Sequence, residues 1–197
     1  MFASNSRRGA LRAILRERTD AVHQALHLHP AFAVLAGPGG TRGDYAALMQ
    51  GLGGFYAALD PVLLDAARAS GGPGYVARAP LIARDLAALG LQPARAEAAF
   101  DPPDGRAGLV GMLYVVEGST LGGSVMARRA ADVAGEAASG FWRWCREGGG
   151  AGWKALTAHM DRTDWTAAEQ DGAAVAAQRL FADLARHLDG THRALAA

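Results

Sequence analysis

Apolar residues recur at spacings of three and four along most of the chain, and strand-like alternation is nowhere sustained. Leu11, Leu15, Val22 and Leu26 form one stripe, predicting a helix over about 8–27 that Pro30 ends. Tyr45, Leu48, Leu52, Phe55 and Leu59 form the next, over about 41–69, where Thr41 and Asp44 have capping-box spacing and Pro61 continues or kinks the helix. Further patterns predict helices over 81–89, 107–134, 153–160 and 166–188, the last with Thr166 and Glu169 as a second capping box. Between them "HPAF", "AGPGG", "SGGPG", "LQPA", "DPPDG" and "REGGGAG" mark breaks. "CREGGGAG" reads as a mobile loop, too short to link domains. The expectation is one all-α domain over residues 1–197, with 1–7 a flexible N-terminus.

Composition narrows the class. Half the residues are apolar, a fifth are charged and the net charge is +1, which argues against a nucleic-acid binder. Cys145 is the only cysteine, so an intrachain disulfide and a multi-cysteine zinc site are excluded. No apolar run suits a signal peptide or approaches a span of about 20 residues, so the expected location is the cytoplasm, away from membranes.

Two features carry candidate chemistry. The first is "LYVVEGSTLGGSVM", which places Gly118, Gly122 and Gly123 inside a predicted helix. Each glycine there costs about 1 kcal/mol relative to alanine, so something should need the missing side chains. Gly111, Gly118 and Gly122 fall on one face with Ser119, Thr120 and Gly123 beside it. The bare strip admits either a neighbouring helix or a flat, bulky ligand. The second feature is His23, which shares a face of the first helix with Thr19 and Arg16. It reads as a metal ligand or as an ordinary helix histidine. A zinc site from His23 and His27 lacks the HExxH glutamate, since position 24 is Gln24. A planar macrocycle held through one histidine would fit a slot between the two helices, leaving its other face free for dioxygen.

"LRERTDAVHQAL" followed by "LYVVEGSTLGG" resembles the bacterial haem oxygenases, especially the branch that makes biliverdin for bacteriophytochromes. "YAALMQGLGGFYAALDPVL", "RAPLIARDLAALGL" and "FWRWCREGGGAGWKAL" resemble later segments of that family, in the same order. The resemblance implies a helical bundle with a haem slot between the first helix and a glycine-containing distal helix. It implies His23 as the proximal ligand, with Arg16 and Tyr114 toward the propionates and Thr19 beside them. Gly118, Ser119, Gly122 and Gly123 match the distal wall, and Arg179 and Phe181 of the last helix match its lining. Two departures stand out. His27 occupies a position where relatives carry glutamate, and Ser119 one where mammalian enzymes carry aspartate. The implied activity is cleavage of haem, both substrate and cofactor, to biliverdin, carbon monoxide and iron. Electrons would come from a ferredoxin or flavin reductase, and a bacteriophytochrome would accept the product. A haem carrier or sensor on the same fold is the alternative.

Overall fold

The computed structural model describes residues 9–37, 39–95 and 99–196; the expected flexible segment 1–7 lies outside them. The α-helices are α1 Ala10–His27, α2 Ala33–Ala36, α3 Arg42–Ser70, α4 Ala79–Ala88, α5 Gly105–Ala134, α6 Gly140–Glu147, α7 Gly150–Arg162 and α8 Ala167–Ala196. Among the described residues there is no strand, so the all-α expectation holds.

Local chemistry sets the helix starts. The Thr41 hydroxyl accepts from the Asp44 N–H at 3.1 Å, and the Asp44 carboxylate accepts from the Thr41 N–H at 2.9 Å. Thr166 and Glu169 repeat this reciprocal pair ahead of α8, at 3.2 and 2.9 Å. α3 runs through Pro61 unbroken.

α5 is the central element, packing on α3, α6, α7 and α8, while α1 lies along α8. Leu15, Leu48, Met49, Leu59, Leu63, Leu113, Leu156 and Leu180 are buried where these helices meet. α3 and α5 are long and apolar enough to cross a membrane, contrary to the sequence expectation. Their apolar windows are 61% and 56% buried within the bundle, so they serve as its core.

Three further expectations are corrected. "CREGGGAG" is a tight helical corner: Gly148 and Gly149 separate α6 from α7, and Gly150 and Gly152 belong to α7. α6 itself escaped notice because it has eight residues, too few to establish a period. α8 continues past 188 to Ala196, and its turn from His187 to Thr191 docks on α3. There His187 Nε2 meets the Gly51 carbonyl at 3.0 Å, and a Cβ on Gly51 would lie 2.9 Å from Leu188 Cδ2.

Candidate functional site

A half-open cavity of about 420 Å³ lies among α1, α3, α5, α6, α7 and α8. α1 contributes Arg16, Thr19, His23 and His27, and α5 contributes Tyr114, Gly118, Ser119, Gly122 and Gly123. Tyr56, Trp153 and Phe181 come from α3, α7 and α8. The two features singled out in the sequence therefore meet in one space.

His23 is exposed to that space. Its ring sits edge-on to His27 at 4.6 Å and to Phe181 at 5.8 Å. Partial burial and the neighbouring His27 hold its pKa below the ordinary value, with Asp20 opposing. The neutral imidazole is the form that ligates a metal. One turn before it, the Thr19 hydroxyl donates to the Leu15 carbonyl at 2.7 Å.

One edge of the cavity is polar. Burial raises the Tyr114 phenol, while a hydrogen bond with Thr19 and the nearby Arg16 charge pull it down. Arg16 is exposed and Tyr114 half-buried. The three form a small cationic, hydroxyl-rich patch suited to a carboxylate. Tyr114 also packs on Trp153, with ring centroids 5.5 Å apart.

The glycines of α5 divide by use. A Cβ on Gly122 would meet nothing within 4 Å, so open cavity lies against bare helix backbone. A Cβ on Gly118 would touch only Trp153, at 3.5 Å. Gly123 borders the cavity, yet its Cβ would lie 3.0 Å from Cys145 Sγ, so its smallness serves packing on α6. Gly111 is outside the cavity and is pressed against the Ala173 carbonyl of α8. Arg179 is exposed and does not line the cavity. It stands two residues from Phe181, roughly 200° round the helix.

Sequence reasoning missed Tyr56. Its phenol is buried beside the Ser119 hydroxyl, and burial pushes its pKa up to about 12. Ser119 donates to the Val116 carbonyl at 2.9 Å. A tyrosine next to the core stripe of α3 was the available signal.

A polar cluster lies behind the α5 wall. Arg78 and Glu117 are 2% and 3% exposed and pair at 2.8 Å. The Arg78 guanidinium also reaches the Val76 carbonyl and lies over the Trp144 ring, 4.5 Å from its centroid. Asp60 accepts from the Tyr75 hydroxyl at 2.6 Å and from the Arg78 and Ala79 N–H groups at 2.8 and 2.7 Å. Burial raises the pKa values of both Asp60 and Glu117, with Arg78 opposing. Cys145 is buried here as well, its thiol pushed up to about 12 by burial, which keeps it from acting as a nucleophile.

No family model matches the chain. A heme oxygenase of Xanthomonas campestris pv. campestris (strain 8004) is 37% identical over 110 residues. That match covers 55% of this chain and 65% of the relative, a little under two thirds of its length. The NO- and CO-bound heme oxygenase from Neisseria meningitidis superposes with a TM-score of 0.74 at 24% identity. The superposition covers 92% of this chain and 91% of that one, so the two share a fold.

Proposed function

We propose that this chain is a haem oxygenase that cleaves haem to biliverdin, carbon monoxide and iron, using dioxygen and external electrons. One observation carries the reading: an accessible histidine and a stretch of side-chain-free helix line the same largely apolar cavity. The fold shared with the Neisseria enzyme and the identity to the Xanthomonas one support it.

The residues present fit haem. His23 would take the iron, Gly118 and Gly122 would leave its other face unobstructed, and Arg16 with Tyr114 would hold the propionates. Bound there, haem supplies both the metal that activates dioxygen and the ring that is oxidised. The protein's own tasks are then positional. Arg16 and Tyr114 set the rotation of the ring through charge-assisted hydrogen bonds. Leu52, Phe141, Leu184 and Phe181 exclude bulk water from the inner side. Tyr56 keeps its proton at neutral pH because burial raises its pKa, so the inner wall beside Ser119 carries a neutral phenol. The Ser119 hydrogen is committed to the Val116 carbonyl, so on this wall its oxygen serves as an acceptor.

We also place the chain as one domain in the cytoplasm, with a ferredoxin or flavin reductase as electron donor and a bacteriophytochrome as acceptor. The packing of both long apolar helices inside the bundle supports their role as core helices in place of membrane spans.

The test is hemin titration followed by turnover. A Soret band should form on binding. With ascorbate or ferredoxin in air it should then give way to the broad red absorption of biliverdin. His23→Ala should lose most of the Soret change and the turnover. A stable Soret band through reduction in air would establish the carrier or sensor instead.

A further inference from the structure

The back of the α5 wall carries a second inference, which rests on the proposed function for its consequence. Gly118 and Ser119 face the cavity, and their chain neighbours Glu117 and Thr120 face the protein interior. Against those two residues lies the α6–α7 corner. A Cβ on Gly149 would overlap the Thr120 methyl, and a Cβ on Gly152 would overlap the Glu117 carboxylate. Neither glycine is required by its backbone. Gly149 has φ −63° and ψ −22°, an ordinary helical conformation, and Gly152 sits inside α7. A glycine inside a helix costs about 1 kcal/mol relative to alanine, so Gly152 is explained by clearance, and Gly149, which precedes α7 at a φ open to any residue, is explained the same way.

Glu117 is also held from the other side by the buried Arg78, itself stacked on Trp144 of α6. The segment 117–120 is thus gripped between α7, α6 and the chain just ahead of α4, and its opposite surface is the cavity wall. We propose that Gly149 and Gly152 set the depth of that wall. They let the α6–α7 corner bear directly on Thr120 and Glu117, and so fix how much room Gly118 and Ser119 leave above a bound ring. They are positioning residues, since neither touches the ligand.

The geometry supplies its own rescue. The Thr120 methyl is the principal obstacle to a side chain at 149, and serine lacks that methyl while keeping the hydroxyl that donates to the Val116 carbonyl at 3.1 Å. The probes are hemin and carbon monoxide on the full chain. In the ferrous protein, Gly149→Ala should shift the C–O stretching band and lower CO affinity by about tenfold, the effect of a crowded distal face. Thr120→Ser in that background should return both toward wild type. Thr120→Ser alone should move the band the other way.

An unchanged band and CO affinity in Gly149→Ala would overturn the proposal, and so would a shift that Thr120→Ser fails to reverse. Were Gly149→Ala not to fold, the band of Thr120→Ser alone decides: a shift supports the wall-depth role and no shift overturns it. A wild-type chain without a Soret band would sink the haem reading and not the grip. Thermal unfolding of the apo single and double variants then tests the grip, and absence of coupling between positions 149 and 120 overturns it.

Discussion

Gly111 and Gly122 stand eleven residues apart on nearly the same face of α5 and have opposite surroundings. At Gly111 an added Cβ would run into the Ala173 carbonyl of α8. At Gly122 it would meet nothing within 4 Å. The first glycine lets two helix backbones touch. The second leaves bare backbone beside a cavity into which His23 also looks. Identical residues in one helix are thus used once for cohesion and once for space. Only the elements across from them decide which.

The same substitution at both sites separates the two roles. Gly111→Leu should destabilise the protein by about 3 kcal/mol, because the obstacle is backbone and cannot rotate away. Denaturant unfolding reads this as a lower midpoint at unchanged slope. Gly122→Leu should leave stability unchanged or raise it by up to about 0.8 kcal/mol through helix propensity. It should nevertheless suppress hemin turnover to biliverdin by about tenfold or more, since a branched side chain would occupy the open face. Equal stability losses at both positions would show that Gly122 too faces a packed neighbour.

A surface ion pair adds slightly to the cohesion of α5 and α8. Arg106 of α5 and Glu169 of α8 pair at 2.6 Å beside the Gly111 seam. That pair and the Thr166 cap lower the Glu169 pKa from its ordinary 4.5 to about 2. A depressed carboxylate pKa stabilises the fold above the unfolded value and ceases to do so as pH falls through the folded one. Glu169→Gln should therefore lower Tm slightly at pH 7, with the difference from wild type shrinking between about 4.5 and about 2. Hemin binding should be untouched.

Much of the fold was legible in the chain because its signals are local. The stripes of α1, α3 and α5 and both capping boxes depend on residues within a few positions of one another, and they appear where the pattern put them. α6 and the glycine corner did not show through. Eight residues carry too little period, and glycines that look like a flexible loop prove to be clearance for Thr120 and Glu117. The site was legible in part. His23, Arg16, Thr19, Tyr114, Gly118, Ser119, Gly122, Gly123 and Phe181 converge on one cavity, whereas Arg179 lies outside it and the pattern did not single out Tyr56.

The chain alone carries the signals of a helical fold, of His23 on one helix face with Thr19 and Arg16, and of an unusual set of glycines in one long apolar helix. Periodicity, capping and the cost of helical glycine are properties of near neighbours along the chain. Tertiary structure alone decided which glycines face a carbonyl and which face open space, and that Arg78 reaches across from residue 78 to pair with Glu117. It also decided that a phenol on α3 stands beside a serine on α5. Those outcomes depend on where distant helices come to rest, and no local rule encodes the distance between them.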